Sequence, residues 1–186
     1  RPTEALLDAL AALGFLRKSR GRYANGELAS TQLLRGKDGS LGDVLRLQDL
    51  LWKGWSDLER VLREGRPRRK LSEWMGDIPG FTRDYIRSMH QVARKPASEV
   101  ARAVPVSGSA RLLDIGCGPG SYSLAFAERN PKLRADLLDL PQTLAITREF
   151  VAPSPAKRRL RLVPGDYRRM ALAPRSYDLV LLSHVT

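Results

Sequence analysis

The sequence predicts an α/β protein, with a parallel sheet in its carboxyl-terminal part and a mainly helical amino-terminal part. Three observations predict it. From Arg111 onward, short apolar runs alternate with helical stretches, the pattern of βαβ units. Three glycines, Gly116, Gly118 and Gly120, stand where the first of those runs gives way to a helix. Before residue 106, apolar residues recur mostly at helical spacing.

Leu6, Leu7, Leu10 and Leu13 give a helix from Glu4 to Leu13, which Gly14 ends. A short polar hairpin follows over Arg17 to Arg22, with Tyr23-Ala24 as its return strand and Asn25-Gly26 as a turn. A second helical stretch covers Glu27 to Leu34, so this opening has the outline of a winged helix without its first helices. Asp43 is placed to cap a long helix to about Glu64, with Val44, Leu47, Leu51, Leu58 and Val61 as its stripe and Trp52 and Trp55 adding bulk. Gly65 to Lys70 is a basic break. A helix from Phe81 to Ala93 aligns Phe81, Tyr85, Met89 and Val92, and Pro96 opens a last helix toward Pro105. The character changes at Val106 to Ser109, which divides the chain into domains of residues 1–105 and 106–186. In the second, strands are expected at Arg111 to Ile115, Leu133 to Leu138, Leu160 to Val163 and Tyr177 to Leu182. Helices fall at Ser121 to Arg129 and Pro141 to Val151.

The 186 residues, 42% hydrophobic and 28% charged, suffice to bury a core without disulfides or metals. Cys117 is the one cysteine, which excludes an internal disulfide and points to a reducing, intracellular setting; with an opening at Arg1 to Glu4 that lacks a signal peptide's apolar core, the expectation is a cytoplasmic protein. No apolar run approaches the roughly 20 residues of a membrane helix. The net charge of +12 raises the question of nucleic acid, but 20 acidic residues are interspersed with the basic ones. The densest basic clusters, Arg66 to Lys70 and Lys157 to Arg161, sit in loop-like stretches, so a solvated basic surface is the simpler account.

The loop Asp114-Ile115-Gly116-Cys117-Gly118-Pro119-Gly120 can bring a ligand against backbone N–H groups at a helix start. A dinucleotide fingerprint would need glycine where Ser121 stands, and a P-loop would need a lysine that this loop lacks. Roughly 20 residues on, Asp139 follows the second strand, where a carboxylate can accept from both hydroxyls of a ribose. After the third strand, Asp166 and Tyr167 suit an adenine, the carboxylate accepting from its amine and the ring covering it. Each piece also has a plainer account: a tight turn for the glycines, a helix cap for Asp139, a simple turn at Gly165-Asp166. Their order and spacing within one βαβ series favour a single ligand site.

On LLDIGCGPG, LLDLPQTL, VPGDY and SYDLVLLSHV, the chain resembles class I S-adenosylmethionine-dependent methyltransferases with a Rossmann-like sheet. LLDALAALGFLRKSRGRYANGELAS, FTRDYIRSMHQVARKPASEVA and the phrase DLPQTL narrow the resemblance to the O-methyltransferases of plant caffeate and bacterial polyketide-tailoring type. It implies methyl transfer to a hydroxyl of a small aromatic or polyketide-like molecule, no metal, and a homodimer formed through the winged-helix domain. Gly116, Gly118 and Gly120 would hold the methionine end of S-adenosylmethionine, supported by Asp114. Asp139 would hold the ribose, and Asp166 and Tyr167 the adenine. Met89 and His90 match the substrate-facing part of the linker helix, although Met89 also fits helix packing and His90 an ordinary surface histidine. The family's catalytic base would fall just beyond Thr186, and His184 is too early to match it. The expectation is therefore a fragment cut at both ends, its sheet incomplete at the C-terminus, with exposed apolar strand surface and poor solubility. Two rivals remain. A winged-helix DNA-binding regulator would have only Gln32 and Arg35 as plausible contacts on its apparent recognition helix. The other is a cofactor-binding homologue without methyltransferase activity.

Overall fold

The computed structural model describes the chain except residues 35–36, 38–39, 68–72, 74–75, 77–79, 107, 109, 173 and 185–186. Arg35, Thr186, half of the basic break at Gly65 to Lys70 and part of the change at Val106 to Ser109 lie outside the described residues.

The amino-terminal part opens with α1 (Pro2–Ala12) and a hairpin of β1 (Leu16–Ser19) and β2 (Arg22–Asn25), followed by α2 (Glu27–Gln32). The hairpin turns at Arg20-Gly21, where both φ angles are positive (47° and 73°), matching the right-handed twist of two short antiparallel strands. Asn25-Gly26 is not a separate turn: Gly26 is the N-cap of α2. Next come α3 (Gly42–Trp55) and α4 (Leu58–Glu64). The single long helix expected to Glu64 is thus broken at Ser56-Asp57. The Ser56 hydroxyl bonds back to the Trp52 carbonyl, and Asp57 becomes the N-cap of α4.

Asp43 does not cap α3. Leu41 holds that position, and the Asp43 carboxylate accepts from Gln91 on the next long helix, α5 (Phe81–Ala103). Buried Ser88 completes this contact by donating to the Asp43 carbonyl at 2.7 Å, and Arg46 pairs with buried Asp84. Such satisfied polar bonds fix the register of α3 on α5. Pro96 lies inside α5 and does not open a new helix. Proline deprives the Val92 carbonyl of its intrahelical donor, but the flanking turns are held by packing on the helices Ser121–Arg129 and Pro141–Val151, which overrides local preference.

The carboxyl-terminal part runs β3 (Arg111–Ile115), α6 (Ser121–Arg129), β4 (Arg134–Asp139), α7 (Pro141–Val151), β5 (Leu160–Pro164) and β6 (Leu179–Leu182). All pairings are parallel and the strand order is β5-β4-β3-β6. Alternate strand residues serve opposite faces. Leu112, Ala135 and Leu137 pack with Leu124, Phe126 and Leu144 of α6 and α7 in the main core. Leu113, Ile115 and Leu138 face the other side, where Tyr167, Met170 and Tyr177 cover them. Arg159 ties the main core together, donating to the carbonyls of Ala127, Asn130 and Leu133 where α6 ends. The β6 residues in register with Leu113 and Ile115 are Val180 and Leu182, and they are 48% and 62% exposed. Among the described residues, no helix is long and apolar enough to cross a membrane.

The chain moves outward from β3 to β4 and β5, then returns to β6 on the far side of β3. A crevice at the carboxyl ends of the strands beside such a reversal is where open α/β sheets bind ligands.

Candidate active site

A cavity of about 580 Å³ opens at that place, within the usual range for small-molecule sites. Its walls come from the loops after β3, β4, β5 and β6 and from one face of α5. Asp114, Gly116, Gly118, Asp139, Asp166, Tyr167 and Met89 all border it. Gly120 and His90 do not.

The glycine loop is built from positive φ angles at Gly116 (66°), Gly118 (52°) and Gly120 (75°), which a side chain would strain. The three do different work. A Cβ on Gly118 would meet no atom within 4 Å, so its free face is open space. A Cβ on Gly120 would stand 2.8 Å from a Leu137 methyl, so that glycine lets α6 pack against the sheet. The loop is held from the end of β4 and from a helix. Asp139 accepts from the Gly118 N–H at 2.8 Å and from the Leu140 N–H at 2.7 Å, and Thr147 of α7 donates to the Gly118 carbonyl at 2.6 Å.

The site's charge is mostly negative. Asp114 is 3% exposed, and burial pushes its carboxyl up to about 6; the Ser123 hydroxyl, donating at 2.7 Å, opposes the rise, and nearby Asp139 adds to it. Asp166 is held below the ordinary carboxylate range by Arg168, whose guanidinium forks onto both of its oxygens at 3.0 and 2.9 Å. Burial raises the Tyr85 phenol, and the Asp139 charge raises it further. Burial also raises the Cys117 thiol, which makes it inert as a nucleophile. A carboxylate-lined cleft with an open glycine turn suits a ligand that carries positive charge along with hydroxyl and amine donors. Among the described residues no cluster of His, Cys, Asp or Glu could hold a metal ion.

Tyr85, Tyr122, Thr143, Arg168 and His184 also border the cavity. Sequence reasoning missed them as site residues. Tyr85 carried a signal, since it lies four residues before Met89 on one helical face. His184, read as too early for the family's base, reaches the wall because the chain turns there with a φ of 56°, and its Nδ1 lies 3.0 Å from the Ser183 hydroxyl. His90 points elsewhere: its ring lies 4.3 Å from that of Phe150, and its Nδ1 is 2.9 Å from the Ser121 hydroxyl.

A family model for the O-methyltransferase domain matches residues 55–186. The 3-hydroxy-5-methyl-1-naphthoate 3-O-methyltransferase of Streptomyces sahachiroi is 26% identical over all of this chain and 54% of its own length. The L-tyrosine C(3)-methyltransferase of Streptomyces lavendulae is 33% identical over 99% of this chain and 53% of its own. The chain thus spans about half the length of these relatives. A solved structure of PigF with SAH superposes with a TM-score of 0.80 at 27% identity, covering 97% of this chain and 56% of that one. With the family model matching most of its length, the chain belongs to the O-methyltransferase domain family.

Proposed function

We propose that the cleft binds S-adenosylmethionine and that the protein methylates a hydroxyl of a small aromatic or polyketide-like molecule. The observation that carries this is the convergence of Asp114, Asp139 and Asp166, from three successive strand ends, on one cavity beside the open face of Gly118. That donor-accepting, negatively charged set fits the cofactor's ammonium, sulfonium, ribose hydroxyls and adenine amine. Family membership and the PigF structure with SAH support the same reading.

In this account Gly116 and Gly118 let the methionine end lie against backbone, and ionised Asp114 offsets its positive charge. Asp139 keeps lone pairs beyond its two backbone bonds and accepts from the ribose hydroxyls. Asp166 accepts from the adenine amine, and Tyr167 covers the ring. Bound there, S-adenosylmethionine supplies a methyl group on a positively charged sulfur. The protein aligns the acceptor oxygen behind that methyl, excludes water and provides for loss of the hydroxyl proton as the O–C bond forms and the S–C bond breaks. Met89, on the α5 wall, borders the acceptor's side. The division into residues 1–105 and 106–186, with a winged-helix-like first domain, belongs to the same reading. So does a homodimer through the first domain, supported by the exposure of Leu6, Leu13, Trp52, Trp55 and Leu62 there.

A second reading has an observation of its own: the tyrosine relative methylates carbon, so the acceptor atom could be an aromatic carbon next to a hydroxyl. Incubation with S-adenosylmethionine and hydroxynaphthoate or tyrosine, read by mass spectrometry and NMR, decides. An O-methyl product supports the proposal, a C-methyl product replaces it with the second reading, and binding without product leaves a cofactor-binding homologue.

A further inference from the structure

Met89 and His90 are consecutive on α5 and point about 100° apart; Met89 borders the cavity and His90 does not. His90 enters a separate groove of about 770 Å³ on the far side of Ser121. Ser121 is the first residue of α6, only 6% exposed, and it borders both spaces. The His90 Nδ1 to Ser121 Oγ bond of 2.9 Å therefore joins the helix bearing Tyr85 and Met89 to the turn bearing Gly118. Phe150 of α7 fixes the imidazole from its other side, with ring centroids 4.3 Å apart. Burial, with Arg94 adding to it, keeps the ring's affinity for a proton low, so the bond at neutral pH is between uncharged groups.

We infer that His90 is a positioning residue, which holds the start of α6 and the glycine turn at a fixed distance from the α5 wall of the cleft. The inference rests on the cofactor reading above. It assigns His90 no contact with the acceptor. Asp139 and Thr147 hold the same turn from the strand and α7 sides, and His90 supplies the tie from α5. Loss of that tie leaves the turn's amides free to move from the geometry that S-adenosylhomocysteine needs.

The test is calorimetric titration of S-adenosylhomocysteine into the wild-type chain, His90→Phe, Ser121→Ala, the double variant and His90→Asn, with thermal midpoints measured alongside. His90→Phe keeps the ring packing and loses the bond, and His90→Asn keeps a hydrogen-bonding atom near the Nδ1 position. The expected result is about five- to tenfold weaker binding for His90→Phe and for Ser121→Ala, the worth of one buried neutral hydrogen bond. The double variant should be no weaker than either single one. His90→Asn should recover most of the affinity at an unchanged midpoint. Wild-type affinity in His90→Phe, or a double variant as weak as the product of the singles, overturns the inference while leaving the cofactor reading intact. A wild-type chain that binds nothing overturns the cofactor reading itself.

Discussion

Asp114→Asn should remove a loss of stability that the wild type suffers as pH rises from about 4 to 7. Asp114 sits at the end of the central strand, 3% exposed, with its carboxyl raised from an ordinary 3.8 to about 6, burial being the main cause. A carboxyl that binds its proton more tightly when folded stabilises the fold fully below about pH 3.8. That contribution falls through the window up to about pH 6 and is gone above it. The rise of roughly two pH units, at about 1.4 kcal/mol each, makes the loss on the order of 3 kcal/mol. For a chain of this size that is about 6–12 °C in the thermal midpoint. Asparagine has no charge to bury and can still accept from Ser123. The assay is urea unfolding of both proteins from pH 4 to 7.5, taking the difference at each pH so that other titrations cancel. The difference should shift by about 3 kcal/mol in favour of the variant as pH rises. Parallel curves would refute the placement of a buried, proton-holding carboxyl at this strand end.

Other consequences follow from the loop geometry. Gly118→Ala should cost only the strain of a positive φ, about 1–2 kcal/mol by urea unfolding, while its methyl, standing where the ligand would meet the turn, weakens S-adenosylhomocysteine binding. Gly120→Ala adds a clash with Leu137 to the same strain, so it should cost about 2–4 kcal/mol, measured by urea unfolding. Arg168→Ala removes the guanidinium from both oxygens of Asp166 and leaves the residue-168 backbone N–H on Oδ1, and S-adenosylhomocysteine should then bind by calorimetry at least as tightly as to the wild type. Weaker binding would mean that the guanidinium itself contacts the ligand.

The sheet was legible because its strands are short apolar runs, three of them closed by glycine, a carboxylate or proline (Gly116, Asp139 and Pro164). The bounds of β3, α6 and α7 match their expected positions. The failures lie where tertiary contacts outweigh local signals. Pro96 reads as a helix start, yet α5 passes through it because both flanking turns pack on neighbours. Asp43 reads as a cap, but its carboxylate serves Gln91, a partner 48 residues away that no local pattern reveals. The leucines of α1 form a clear stripe, yet none of them is buried in this chain. At the site, the carboxylates and the glycine turn were legible from spacing. The direction of His90 was not, because its partners Ser121 and Phe150 lie on other helices and no local pattern reveals them.

The most direct test of the account is calorimetric titration of S-adenosylmethionine and S-adenosylhomocysteine into the purified chain beside Asp139→Ala. That variant removes the proposed ribose acceptor and the anchor of the Gly118 N–H together. The account predicts saturable one-to-one binding that the variant loses by a factor of about 100 or more, as two charge-assisted bonds would require. Equal binding by both proteins, or none by a folded wild-type chain, would contradict it.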